Sequence, residues 1–253
     1  MSYLIGITGK GGVGKTTLAA LLVSRLIARG RTPVLAVDAD PNSCLDANLG
    51  VQADKTVGGV REDAKQIAAK GMAAGISKQD LLELKIAESL IEADDFDLIA
   101  MGRPEGPGCY CYSNNVLKSA LEQIAAHYPY VVLDNEAGLE NLSRRLVQEV
   151  DLLVMVADPS KRGLDTLERL HALVREMDIS YKRLVLVVNR LRKAQAPDRL
   201  EEIRRATGAD AVLTLPDDDQ LAEWGEEGKS LTTFPADNPV VKRVDELLAE
   251  VLP

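Results

Sequence analysis

A glycine-rich segment near the start of the chain constrains the fold more than any other feature. Residues 9–16 read G-K-G-G-V-G-K-T and fit the pattern G-x-x-x-x-G-K-[ST]. An apolar run, Tyr3–Thr8, precedes the segment, and a helical pattern, Lys15–Arg29, follows it. A strand, a glycine-rich turn and a helix in this order make a cradle of backbone N–H groups at the positive end of a helix dipole. The sequence therefore predicts a phosphate-binding loop within an α/β fold.

The side chains of this loop predict a nucleotide ligand, ATP or ADP, bound with Mg²⁺. Lys15 is expected to neutralise charge on the β- and γ-phosphates, and the hydroxyl of Thr16 is a natural Mg²⁺ ligand. The glycines let the backbone N–H groups turn toward the phosphate oxygens. The predicted nucleotide-binding residues here are Gly9, Lys10, Gly11, Gly12, Val13, Gly14, Lys15, Thr16 and Thr17.

Short apolar runs alternate with helix-length periodic segments along the whole chain. The predicted strands are Tyr3–Thr8, Pro33–Val37, Phe96–Met101, Tyr130–Leu133, Leu152–Ala157, Arg183–Asn189 and Ala211–Leu215. Runs that are apolar almost throughout are typical of strands buried on both faces of a parallel sheet. We therefore predict one P-loop NTPase domain over residues 1–253, a doubly wound, mainly parallel β-sheet flanked by helices. Its ligands are expected beyond the carboxyl ends of the strands.

Residues 50–95 interrupt this alternation with several glycines, and two interpretations stay open. The segment either covers the edge of the sheet or forms a surface on which a partner docks.

Charge and composition argue against two classes of function. The formal net charge is −9, from 30 Lys and Arg against 39 Asp and Glu, whereas proteins that grip nucleic-acid backbones are usually basic. No window has the length and apolarity of a membrane span, and no signal peptide is recognisable. The C-terminal helix candidate, Asn238–Leu252, has an acidic polar face rather than a basic one. We expect a cytoplasmic protein that binds neither nucleic acid nor membrane.

The cysteines predict a second kind of site. Cys109 and Cys111 follow glycine and proline and precede a helix candidate with Ser113 as its N-cap, and a helix N-terminus favours thiolate. Two thiolates are too few for a stable soft-metal site, but a two-fold axis would supply four, enough for Zn²⁺ or Ni²⁺. A redox pair and two buried cysteines stay open as alternatives. The third cysteine, Cys44, is predicted to be a small core residue.

The loop resembles that of the deviant Walker A ATPases, the family of MinD, ParA and the nitrogenase iron protein. The resemblance rests on the form K-G-G-x-G-K-T-T at residues 10–17. It implies a homodimer in which Lys10 reaches the partner's nucleotide and supplies transition-state charge, as an arginine finger does elsewhere.

Further motifs match the same family in order. Residues 37–41, V-D-A-D-P, resemble its switch I, which implies that Asp40 orients the attacking water and Asp38 supports Mg²⁺. Residues 131–134 resemble its Walker B strand, so Asp134 is expected to hold Mg²⁺ through water. With Lys10 and Lys15, Asp40 completes the predicted catalytic set.

Two later regions complete the match. Residues 135–138 resemble switch II, with Glu136 and with Gly138 as a γ-phosphate sensor through its backbone amide. Two strand ends resemble the positions that read and cover the adenine base. The residues implied there are Asn189, Arg190, Pro216 and Asp218.

The subfamily signal lies in the cysteine pair and its surroundings. The run G-C-Y-C at residues 108–111, D-N-E-A-G-L-E at 134–140 and S-C-L at 43–45 are similar to the CooC-type ATPases. Those proteins mature nickel-containing carbon monoxide dehydrogenase and the related acetyl-CoA synthase, so the resemblance implies a nickel cargo and one of these clients.

Two other functions stay open. An Fe–S carrier or electron-transferring ATPase is the nearer, although residues 134–140 lack the switch II cysteine of the nitrogenase iron protein. A ParA- or MinD-like positioning switch ranks third, because it leaves Cys109 and Cys111 without a role.

Overall fold

The computed structural model describes residues 2–40, 42, 44–60, 78–102, 119–136, 149–192 and 198–252. Cys109, Cys111, Ser113 and Gly138, predicted above to have functional or capping roles, lie outside these ranges.

The described strands form one eight-stranded sheet in the order β3-β4-β2-β5-β1-β6-β7-β8. Their bounds are Tyr3–Gly9 (β1), Val34–Asp38 (β2), Ile91–Glu92 (β3), Phe96–Ala100 (β4), Tyr130–Asp134 (β5), Glu149–Ala157 (β6), Ser180–Leu191 (β7) and Ala211–Pro216 (β8). Neighbouring strands run parallel, except that the edge strand β3 pairs antiparallel with β4. The predicted doubly wound, mainly parallel sheet is confirmed.

Helices cover both faces of this sheet. Those with described bounds are Lys15–Ala28 (α1), Leu45–Leu49 (α2), Lys78–Ala87 (α3), Lys161–Glu176 (α4), Asp198–Thr207 (α5), Asp219–Glu226 (α6) and Pro239–Val251 (α7), with a 3₁₀ turn at Leu231–Thr233. Residues 57–60 and 119–125 are also helical. None of the helices in the described ranges is long and apolar enough to cross a membrane.

The core consists of two apolar layers, one on each side of the sheet. The first joins one face of the sheet to α1 and α7, and the second joins the other face to α4 and α5. Strand β5 shows why its residues are apolar throughout: Val132 packs into the first layer, and Val131 and Leu133 pack into the second. A strand buried on both faces has no side that can be polar. In β5 the polar side chain, Asp134, is therefore confined to the carboxyl end of the strand, where the candidate site lies.

Candidate nucleotide-binding site

Three neighbouring strands bring the predicted phosphate and magnesium residues to one edge of the sheet. In β5, Asp134 pairs with Ile7 of β1 on one side and with Asp38 of β2 on the other. Strand β1 ends at Gly9, where the phosphate loop begins, so the loop starts beside both acids. Parallel strands place their carboxyl ends at the same edge, which is why residues distant in the chain converge here.

At two glycines of the loop, atoms of neighbouring strands lie so close to the backbone that they leave no room for a side chain. A Cβ atom at Gly9 would collide with the carbonyl oxygen of Val156 on β6. Gly14 has φ 92° and precedes α1 as its N-cap, and a Cβ there would collide with the side-chain amide of Asn189. The loop therefore passes tightly over the ends of β6 and β7 before it enters α1.

The two lysines of the loop differ in environment. Lys15 is 7% exposed, and its ammonium group donates a hydrogen bond to the backbone oxygen of Lys10 at 3.3 Å. Lys10 has an exposed side chain. One cation is thus turned into the site, whereas the other is accessible from outside the chain.

Asp134 is a buried acid with an unusual environment. It is 1% exposed, and neither carboxylate oxygen has a hydrogen-bond partner of normal geometry. Burial raises its pKa to about 7, and the charge of Asp38 adds to the shift, while the nearby Thr16 hydroxyl and Lys15 ammonium oppose it. Unpaired carboxylate oxygens next to a threonine hydroxyl are the donor set that Mg²⁺ prefers, so these residues fit the predicted cation.

Asp38 is bound by the turn that follows its own strand. Its carboxylate accepts backbone N–H bonds from Asp40 at 3.0 Å, Cys44 at 2.9 Å and Leu45 at 3.0 Å. Burial raises its pKa, and these three bonds oppose the shift. Asp38 therefore fixes the segment that carries Asp40, whose own carboxylate accepts hydrogen bonds from Asn42. A direct role of Asp38 toward Mg²⁺ stays a prediction.

The prediction for Cys44 is wrong, because its side chain is exposed rather than in the core. The backbone N–H of Cys44 is bound to Asp38, and the chain enters α2 at the next residue, Leu45, which is buried. The apolar position in this turn therefore belongs to Leu45. Partial burial raises the pKa of the Cys44 thiol, and the surrounding acids add to the shift, which disfavours thiolate.

Asn135 is a site residue whose individual role the sequence motifs do not predict. Its backbone N–H and its side-chain amide both donate to the carbonyl oxygen of Ile7, at 3.2 and 2.8 Å. The residue is 1% exposed, and its Oδ1 has no hydrogen-bond partner. It therefore ties the start of the segment predicted to be switch II to β1. An asparagine directly after a strand-ending aspartate was the available signal. Glu136, the next residue, is half-buried.

The residues predicted to bind adenine lie at the ends of β7 and β8. Asn189 and Arg190 contact the backbone of the phosphate loop, at Val13 O and Gly12 O. Pro216 ends β8 and pairs with Leu191 of β7. Asp218 caps α6, where its carboxylate accepts a hydrogen bond from Leu221 N at 2.7 Å and also binds the amide of Asn238.

Comparison with known proteins identifies the family of this chain. A model of the CobQ/CobB/MinD/ParA nucleotide binding domain matches residues 4–231. An uncharacterised ATP-binding protein of Methanocaldococcus jannaschii is 40% identical over 98% of this chain and 98% of its own length. The carbon monoxide dehydrogenase accessory protein CooC of Rhodospirillum rubrum is 30% identical over 89% of this chain and 88% of its own.

Solved structures show the same fold. A ParA family ATPase from Chlorobium tepidum superposes with a TM-score of 0.72 over 98% of both chains, at 20% identity. The septum site-determining protein MinD of Pyrococcus horikoshii, solved in complex with Mg-ADP, gives 0.67 over 99% of this chain and 96% of its own, at 18% identity. Since the family model spans most of the chain, this protein belongs to the CobQ/CobB/MinD/ParA family of nucleotide-binding P-loop proteins.

Proposed function

We propose that this protein is a homodimeric ATPase that carries Ni²⁺ or Zn²⁺ on Cys109 and Cys111. ATP binding and hydrolysis would drive insertion of nickel into carbon monoxide dehydrogenase or acetyl-CoA synthase. The observation that carries the proposal is the 30% identity to a carbon monoxide dehydrogenase accessory protein over 89% of this chain. The Cys-x-Cys pair gives that similarity a chemical meaning, because a metal cargo needs soft ligands.

The nucleotide half of the proposal rests on the buried charges at the strand ends. The phosphates of ATP would lie against the backbone of residues 9–16 and the ammonium of Lys15. Thr16 and Asp134 would hold Mg²⁺, which neutralises charge on the β- and γ-phosphates when bound. Asp38, fixed by three backbone N–H groups, would position the segment around this cation.

Hydrolysis would use two further side chains. Asp40, held two residues beyond the Asp38 anchor, would orient the attacking water. The side chain of Lys10 is exposed, so its ammonium would be available to the phosphates of a second protomer. Such a lysine stabilises charge only when two protomers meet, which would make hydrolysis depend on dimerisation.

The cargo half of the proposal rests on sequence. Among the residues that the structure describes, no three His, Cys, Asp or Glu side chains form a group that could hold a metal ion. Each chain would supply the thiolates of Cys109 and Cys111, and a two-fold axis would bring four together. Lys10 would act across the same axis. Binding of nucleotide and binding of metal would therefore both change the stability of the same dimer.

Elemental analysis under reducing, oxygen-free conditions tests the cargo site. We expect about half a nickel or zinc ion per protomer in the wild type, since four thiolates from two chains share one ion. The Cys109→Ser/Cys111→Ser variant should lose the metal, whereas Cys44→Ser, which removes the exposed thiol beside switch I, should keep it. A wild type without metal, or equal metal in all three proteins, would overturn the cargo.

Addition of metal-loaded protein to metal-free carbon monoxide dehydrogenase or acetyl-CoA synthase tests the client. Activation should require ATP and fail with the double cysteine variant. Equal activation by free nickel alone, with no gain from this protein, would contradict the proposal.

A further inference from the structure

Strand β7 ends in an irregular segment that binds two carbonyl groups of the phosphate loop. We propose that Asn189 and Arg190 are positioning residues that hold this loop in its anion-binding shape. The residues predicted to contact the adenine base would then also fix the conformation of the phosphate loop. This inference rests on the ATP-binding part of the proposed function and is independent of the metal cargo.

The backbone of β7 is specialised at this point. Its pairing with β8 is regular up to Val188 and Thr214, and the next pair is Leu191 with Pro216, so β7 carries one residue more than β8 between these pairs. Arg190, within the extra length, has φ 58°, a left-handed conformation that arginine rarely adopts. Bulges of this kind re-aim side chains beside functional sites.

The re-aimed side chains bind two successive carbonyl groups of the loop. The Nδ2 group of Asn189 donates to Val13 O at 2.9 Å, and its Oδ1 accepts the backbone N–H of Arg190 at 2.9 Å. The guanidinium of Arg190 donates to Gly12 O at 3.2 Å. Both polar ends of the Asn189 amide are therefore engaged within the protein.

These bonds determine where the loop's N–H groups point. In a trans peptide the C=O and N–H groups point in opposite directions. Holding Gly12 O and Val13 O on the β7 side turns the N–H groups of Val13 and Gly14 toward the opposite side, where phosphate would bind. Successive inward N–H groups form an anion-binding concavity. A loop already in this shape loses less conformational freedom when phosphate binds.

An adenine-reading role alone predicts something different. A side chain that only contacts the base affects binding of nucleotides and leaves binding of base-free polyphosphate unchanged. A side chain that shapes the loop affects both. Tripolyphosphate, which has no base, therefore separates the two roles.

The test measures the affinity of tripolyphosphate with Mg²⁺, by competition against a fluorescent ADP analogue, and that of MgADP by calorimetry. Asn189→Ala removes the amide without changing charge. Arg190→Gly removes the guanidinium at a φ that glycine adopts freely, and Arg190→Lys restores a donor and the charge. Arg192→Ala is the matched loss of one cation, because Arg192 is 85% exposed and pairs with Asp217 rather than with the loop.

We expect Asn189→Ala and Arg190→Gly to weaken tripolyphosphate binding at least about fivefold, with partial recovery in Arg190→Lys and no change in Arg192→Ala. The melting temperature of Arg190→Gly should stay at the wild-type value, since a purely structural role would lower it. Tripolyphosphate affinities within about twofold of wild type, alongside weaker MgADP binding, would overturn the inference. If the wild type binds neither ligand, the proposed ATPase itself fails.

Discussion

The raised pKa of the buried Asp134 makes the stability of the fold depend on pH. Its pKa of about 7 lies above the usual aspartate value because the carboxylate is buried, and the nearby Thr16 hydroxyl and Lys15 ammonium offset only part of that shift. The folded state therefore binds this proton more tightly than the unfolded state. The resulting stability is present in acid, declines as pH rises from about 4 to about 7, and is absent above that range.

Asp134→Asn should remove this pH dependence, because asparagine resembles the protonated acid. Without Mg²⁺ and nucleotide, we expect the variant to be more stable than wild type at pH 8 by roughly 1 to 4 kcal/mol, and equally stable at pH 4. Urea unfolding at both pH values measures this. The variant should also lose the stabilisation that Mg²⁺ with ADP gives the wild type. An Asp134→Asn protein less stable than wild type at pH 8 would contradict the claim that the charged, buried Asp134 destabilises the fold.

The two lysines of the phosphate loop should separate binding from hydrolysis. Lys10→Ala should keep its affinity for MgATP and lose hydrolysis by about 100-fold or more, since the exposed Lys10 would act only in a dimer. Lys15→Ala removes the buried cation and should lose binding itself. Calorimetry and phosphate release measure the two effects. Normal turnover by Lys10→Ala would contradict a lysine acting in trans.

Residues at the site were predictable where a motif fixes the backbone and not where tertiary contacts decide. Asp134 lies at the end of β5, beside Ile7 of β1, as its motif predicts. Lys15 lies at the start of α1, with its ammonium bound to Lys10 O in the loop. Cys44 was wrongly predicted as buried, because sequence does not show that Asp38 binds its N–H and leaves the thiol outside. The contacts of Arg190 were also beyond prediction, since nothing in an arginine signals a positive φ.

At the scale of elements, the turn from β1 into α1 depends on glycine for two different reasons. Gly12 and Gly14 both have positive φ, yet a Cβ at Gly12 meets nothing within 4 Å, whereas one at Gly14 collides with Asn189. Gly12→Ala should therefore cost about 1 kcal/mol from backbone strain. Gly14→Ala should cost roughly 1 to 3 kcal/mol more, because the side-chain amide of Asn189 must move and give up its bond to Val13 O. Denaturant unfolding without ligand measures both, and equal losses would contradict the close packing of β7 on the loop.

The start of α7 shows how one cap joins two helices. Asn238 is 4% exposed, caps α7 by accepting Val240 N at 2.8 Å, and donates to Asp218, the cap of α6. Asn238→Ala should lower the free energy of unfolding by about 2 to 3 kcal/mol, since it also leaves Asp218 without this donor. Ser160→Ala removes the simpler cap of α4 and should cost about 1 kcal/mol. Thermal unfolding compares the two variants. Equal decreases in melting temperature for Asn238→Ala and Ser160→Ala would show that the link between α6 and α7 contributes nothing.

Elements with long apolar runs were predictable, and short or polar ones were not. All seven predicted strands are present, because each runs through the core between two layers. Strand β3 has two residues and belongs to the sheet edge, so it carries no periodic signal. Strand β7 begins at Ser180, three residues earlier than predicted, because Ser180 and Tyr181 pair with β6 while S-Y-K at residues 180–182 stays partly exposed and gives no apolar run.

At the scale of the whole molecule, the proposed function joins two sites through one two-fold axis. Nucleotide would be bound at the carboxyl edge of the sheet, and metal at residues 109–111. Lys10 and the cysteine pair would each act across the dimer, so the two ligands bias the same assembly. Linkage then requires that each ligand change the affinity of the other by the same factor.

The most direct test of this central claim is the affinity for Ni²⁺ with and without a non-hydrolysable ATP analogue, measured by anaerobic calorimetry on the full chain. We expect the analogue to change nickel affinity at least about fivefold, and nickel to change analogue affinity by the same factor. In Lys10→Ala the two affinities should become independent, because the trans contact is lost. Equal nickel affinity with and without the analogue in the wild type would contradict the coupling and leave an ATPase whose metal, if bound, is not its cargo.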